Sequence, residues 1–95
     1  MDAGELLRRY AAGERDFAGV DLSGILLGSG YADELIQRYQ TEENTRYGGV
    51  NLRGINLSGA NLEGANLDAV DFMGANLSGA NLTGAILHVA RLNEA

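Results

Sequence analysis

From Val50 to Glu94 the chain reads VNLRG, INLSG, ANLEG, ANLDA, VDFMG, ANLSG, ANLTG, AILHV, ARLNE: nine fives in one unbroken phase. A period of five fits neither the two-residue alternation of a strand nor the 3.6-residue turn of a helix, so this is a repeat architecture rather than a succession of ordinary elements. The central column holds Leu52, Leu57, Leu62, Leu67, Phe72, Leu77, Leu82, Leu87 and Leu92. It is always large and apolar and marks the interior. Two residues earlier stand Val50, Ile55, Ala60, Ala65, Val70, Ala75, Ala80, Ala85 and Ala90, small or β-branched, as a narrow core requires. The other positions are Asn or Asp before the Leu, a variable residue after it, and then Gly at 54, 59, 64, 74, 79 and 84. They are expected to face water and make the turn.

This pattern resembles the pentapeptide-repeat family, whose motif is A(D/N)LxG; the match covers residues 50–95 and extends to RDFAG and VDLSG near the start. The resemblance implies an all-β solenoid: a right-handed quadrilateral β-helix in which four repeats make the sides of one coil. Positions twenty apart then stack at about the 4.8 Å spacing of neighbouring strands. Each coil depends on its neighbours to bury its apolar edge, so interior Leu-to-Ala changes are expected to cost about 2–5 kcal/mol each. The stacked Asn56/Asn76 and Asn61/Asn81 are expected to bond to one another or to backbone. The resemblance further implies a non-catalytic cytoplasmic protein of the short bacterial or cyanobacterial kind.

A second repeat lies in the first half. AGELLRRYAAGERDFAGVDLSGI (Ala3 to Ile25) aligns with ADELIQRYQTEENTRYGGVNLRGI (Ala32 to Ile55), with one extra residue in the second copy. Each copy begins as an amphipathic helix. In the first, Asp2 caps with Glu5 reaching back, Leu6, Leu7 and Tyr10 form one face, and Gly13 ends it. In the second, Tyr31, Leu35 and Tyr39 recur at a spacing of four beside Ile36, with Ser29 as N-cap. The expected single domain, 1–95, is thus a helix at 1–13, a short repeat segment at 14–28, a second helix and loop at 29–46, and the main solenoid at 47–95, with short N-terminal α-helices at the head of the coil. Either residues 16–28 add a short coil and the second helix bulges out before the spiral resumes, or the two helices pack as a pair. The shared phase of Phe17, Leu22 and Leu27 with Leu52 favours the bulge.

The chemistry is sparse. There is no Cys, which removes disulfides and thiolate sites, and all seven basic residues are Arg in a chain of net charge -6, which argues against a nucleic-acid-binding surface. The first residues, MDAGELLRRY, lack an apolar run of signal-peptide length, and the expected location is cytoplasmic. No catalytic, cofactor-binding or metal-binding residue stands out, and no cofactor, nucleic acid or membrane is expected. His88 falls twenty residues after Asp68, and Arg91 after Asp71; both read as stacked surface pairs. At the end of the run Ile86 replaces the usual Asn and Val89 the usual Gly, so either these apolar residues fold over the end of a frayed last coil, or with Leu92 they are a place of self-association, a homodimer through the C-terminal coil. The leading functional reading is a protein-interaction or scaffold module with an unidentified protein partner. The alternative, which some family members suggest, is a DNA-mimic modulator of DNA gyrase; the net charge agrees in sign, but residues 50–95 carry only -2 of it.

Overall fold

The computed structural model describes residues 1–28, 30–40, 49–88 and 90–92. Two helices, α1 (Ala3–Ala11) and α2 (Asp33–Tyr39), accompany a coil whose sides meet through isolated parallel bridges. Among the described residues the sides of this β-helix meet through single bridges rather than extended strands, beside the two N-terminal helices. Each five-residue side is bounded by turns at both ends, leaving one residue opposite its neighbour, too few for a ladder of strand length.

The bridges fix the register. Asn51 lies under Asp71, Asn56 under Asn76, Asn61 under Asn81, Asn66 under Ile86 and Asp71 under Arg91, all twenty residues apart. Four sides therefore make a lap, and sides one to four of this coil begin their bridges at Asn51, Asn56, Asn61 and Asn66. Below them Asp16, Asp21 and Leu26 bridge Asn56, Asn61 and Asn66, at a separation of forty. The first segment thus forms three sides of a lower coil, continuous with the main one. Its missing side would lie beneath Asn51, and one lap's worth of chain, containing α2, leaves the spiral between Leu26 and Asn51.

Each of the four sides beginning at Asn51, Asn56, Asn61 and Asn66 is joined to the one above by three backbone hydrogen bonds. On side two, Leu57 N–H donates to Asn76 O at 2.8 Å, Gly59 N–H to Ser78 O at 2.8 Å, and Asn76 N–H to Ile55 O at 2.9 Å. The Asn column does not form a side-chain ladder within the upper coils. Each Oδ1 instead accepts the backbone N–H two residues on: Ser58 to Asn56 at 3.1 Å, Glu63 to Asn61 at 3.0 Å, Ser78 to Asn76 at 3.0 Å and Thr83 to Asn81 at 3.0 Å. A short polar side chain that holds its own turn explains why Asn and Asp recur there. One contact does run between coils, from Asn56 Nδ2 to Asp16 Oδ1 at 3.3 Å.

The interior is the column read from sequence, with a gradient. Leu52, Leu57, Leu62, Leu67 and Phe72 are buried, Leu77, Leu82 and Leu87 are half-buried, and Leu92 is 42% exposed. The lower end is closed by α1, whose Leu6, Leu7 and Tyr10 join the same cluster as Phe17 and Leu22. Asp2 Oδ1 caps α1 by accepting Glu5 N–H at 2.8 Å, while the Glu5 carboxylate pairs with Arg9 at 3.2 Å rather than reaching back. In α2 the N-cap position is Ala32, with no side-chain cap bond; Ser29 lies outside the described residues, and Tyr31 stands 60% exposed ahead of the helix. Leu35, Ile36 and Tyr39 pack half-buried on the core.

One turn departs from the rule that Gly makes it. Ala69 adopts φ 63°, a left-handed conformation that costs an L-residue about 1–2 kcal/mol. Ala69→Gly is expected to raise stability by about 1 kcal/mol, after allowing for the greater chain entropy of Gly. The urea midpoint should rise with an unchanged slope; an unmoved midpoint would show that this turn stores no strain.

Candidate functional site: the two edges of the coil

The inside of the coil is filled by its own side chains, and among the described residues no three His, Asp or Glu side chains come together. His88 Nδ1 does sit over Asp68, as their spacing requires, but at 3.8 Å and with the imidazole 83% exposed. That is longer than a hydrogen bond, and a surface pair of this kind contributes at most about 1 kcal/mol. Asp71 stacks beneath Arg91, yet its carboxylate is taken by Arg53, Nε to Oδ2 at 2.6 Å. Asp71 is only 3% exposed and Asn51 8%, so on side one the residue before the Leu is buried, not solvent-facing.

Among the described residues the lower edge of side one has no coil beneath it, and two side chains stand in for the backbone there. On side two the corresponding groups are satisfied by Asn56 N–H to Arg15 O at 2.8 Å, Phe17 N–H to Asn56 O at 2.8 Å, and Gly19 N–H to Ser58 O at 2.9 Å. On side one, Asn51 N–H donates to Gln40 Oε1 at 2.9 Å, Gln40 Nε2 donates to Asn51 O at 2.7 Å, and Tyr10 Oη donates to Arg53 O at 2.7 Å. All three bonds of an absent repeat are reproduced. Burial, the largest cause, pushes the Tyr10 hydroxyl above its ordinary pKa, so it remains a donor at neutral pH; Asp71 raises it further, while Arg15 and Arg53 oppose. The Arg15 guanidinium lies 3.6 Å over the Tyr10 ring and donates to Tyr10 O at 2.7 Å, fixing it in place.

Among the described residues the upper edge has no such cover. The upward N–H groups of Leu77, Gly79, Leu82, Gly84 and Leu87, and the carbonyls of Ala75, Ala80 and Ala85, have no ladder partner among the described residues. Ile86 is 49% and Leu92 42% exposed beside this edge; Val89 lies outside the described residues. From Phe72 to Ala90 there is no Asp, Glu, Lys or Arg. Exposed sheet edges are ordinarily guarded by charge, Pro or a covering element, and in the described structure the sides between Phe72 and Ala90 have none of these, the nearest charge being Arg91 on side one.

Comparison with known proteins agrees with this geometry. Pentapeptide repeats, in eight copies, match residues 49–95. Among solved structures the chain is similar to HetL, a pentapeptide repeat protein involved in heterocyst differentiation regulation from the cyanobacterium Nostoc sp. strain PCC 7120, with 32% identity and a TM-score of 0.61 over 80% of this chain. The match spans 27% of HetL. It is also similar to alr5209, a pentapeptide repeat protein from Nostoc PCC 7120, at 26% identity and a TM-score of 0.40, over 97% of this chain and 77% of that one. No curated protein matches. Among the described residues no helix is long and apolar enough to cross a membrane. With its four-sided register, its interior Leu column and eight matched repeats, the chain belongs to the pentapeptide-repeat proteins, whose fold is a right-handed quadrilateral β-helix.

Proposed function

We propose that the chain is a non-catalytic protein-interaction module whose working surface is the open upper edge, and that the partner there is a second copy joined tail to tail. The observation that carries this reading is the pairing of an uncovered backbone edge with a charge-free coil in a chain of net charge -6. Each side of the edge offers both donors and acceptors, so two copies related by a twofold axis can satisfy one another, and the sides between Phe72 and Ala90 bring no charges to the join. Exposed Ile86 and Leu92 add apolar area at its rim. The lower end is closed by α1, Gln40 and Tyr10, which opposes head-to-tail growth and favours a closed dimer. That HetL is involved in regulation supports an interaction role over an enzymatic one.

Mimicry of DNA fits less well. Of the four acidic residues in 50–95, Asp71 is buried against Arg53 and Glu94 lies outside the described residues, leaving Glu63 and Asp68. The molecule measures 31 × 25 × 25 Å, too nearly isotropic for a charged rod.

Light scattering on a sizing column tests the proposal. The wild type is expected at twice the chain mass, and the Ile86→Lys, Leu92→Lys variant at the chain mass with an unchanged circular dichroism spectrum. A wild type that stays monomeric at high micromolar concentration would remove the dimer.

A further inference from the structure

The upper rim of the coil is a ramp. Its sides begin their bridges at Asn76, Asn81, Ile86 and Arg91, each stacked on the residue twenty before it, so one lap climbs one layer, about 4.8 Å. Side two, at Asn76, is therefore the lowest part of the rim. Sides three and four, at Asn81 and Ile86, stand progressively higher, and side one, at Arg91, is the highest. A step of one layer separates Arg91 from Asn76 at the corner where sides one and two meet.

Two such ramps of the same hand, brought face to face by a twofold axis, fit along their whole length in one orientation. The highest side of each must lie on the lowest side of the other, which puts the axis through the step and through the opposite corner, between sides three and four. In any other orientation two high sides meet before two low ones can. The fit sets side one against side two of the second copy, and side three against side four.

Given the tail-to-tail dimer proposed above, on which this rests, we propose that side three of each copy pairs antiparallel with side four of the other, Leu82 opposite Leu87. Asn81 then falls opposite His88, and Thr83 opposite Ile86. All four are exposed in the single chain, and the twofold axis makes each pair twice. Asn81 Oδ1 holds its own turn by accepting Thr83 N–H at 3.0 Å, and its Nδ2 is the group that meets the imidazole. Ile86 gives up the turn bond that an Asn would make and gains the methyl group of Thr83. The backbone agrees with the side chains: Gly84 N–H, which has no ladder partner among the described residues, comes opposite Ala85 O of the second copy. Arg91 comes opposite Ser78 of the second copy, not opposite its own counterpart.

The chain has no Cys, so introduced thiols report the register without background. Asn81 and the facing His88 have their backbone groups turned away from the join, and Cα atoms of such pairs lie about 4.5 Å apart, within the span of a disulfide. In a glutathione redox buffer the Asn81→Cys, His88→Cys variant is expected to run as a covalent dimer on a non-reducing gel. Asn81→Cys alone and His88→Cys alone should not, and all three should keep the wild-type circular dichroism spectrum. The Ile86→Cys, His88→Cys variant, which would link if side four met side four, should stay unlinked. If the wild type is a dimer by light scattering but the first variant does not link, or the last one links in its place, the register is overturned and the dimer stands. A monomeric wild type removes the dimer and the register with it. Should the Cys variants misfold, the wild type carries the test: in a dimer of one isotope-labelled and one unlabelled copy, nuclear Overhauser contacts must run from the Asn81 side chain of one to the His88 ring of the other, and their absence would overturn the register.

Discussion

Phe72→Ala is expected to lower the unfolding free energy by about 3–5 kcal/mol, a large part of the stability available to a small domain. Phe72 is fully buried and lies in the side-one column between Leu52 and Leu92. Truncating it removes the contacts of a ring that touches layers above and below, and neighbours pinned by backbone bonds on every side cannot collapse into the space. Leu92→Ala, one layer higher, removes a side chain already 42% exposed and should cost under about 1 kcal/mol. Urea denaturation of the pair measures the gradient along the coil. Equal losses would show that the upper end is as well covered as the middle.

The second large effect is expected at Gly49. A Cβ built there falls 1.9 Å from Ala69 O and 2.7 Å from Ala69 C, backbone atoms that cannot swing aside as a side chain would. Ala69 is itself held in its left-handed turn, with its N–H donating to His88 O at 3.0 Å. Gly49→Ala should therefore cost about 3 kcal/mol or more, because relief requires pulling side one away from the coil. Gly79→Ala makes the contrast. There φ is +70° and the nearest atoms stand at 3.9 Å, ordinary contact, so the loss is the conformational one of about 1–2 kcal/mol. Thermal melts of the two variants separate steric from conformational cost, and a Gly49→Ala protein melting with Gly79→Ala would disprove the close approach.

The interior was legible in the sequence because burial acts on every repeat alike: the same demand imposed nine times leaves a column of Leu that needs no structure to read. Register was less legible. Any multiple of five keeps the columns in phase, so the shared phase of Phe17 and Leu52 is compatible with many stackings, and only the bridges show a separation of forty. Gln40 was invisible for another reason. It lies one residue past α2, outside both the apolar helix face and the repeat columns, and its role comes from a vacancy in the spiral that no local pattern encodes. Tyr10 was read as part of an apolar face, which its ring is; its hydroxyl acts on Arg53, 43 residues away. The burial of Asp71 similarly depends on Arg53 reaching across from the side below. At the upper edge Ile86 breaks the repeat while Leu92 keeps to its column; Val89, the other departure, falls outside the described residues with Ser29 and Tyr47.

The excursion through α2 also sets an order of assembly. The contacts that join the second lap to the third close loops of twenty residues, and those that join the first lap to the second close loops of forty. Doubling a loop adds about 0.6 kcal/mol of closure entropy before any contact is gained, and long-range contacts slow folding generally. The upper two laps should nucleate first, with the first lap and its helix docking afterwards onto a finished template. In pulsed hydrogen exchange during refolding, the amides of Leu57 and Leu62 would gain protection before those of Phe17 and Leu22, so that the spiral winds against the direction in which its sequence is read.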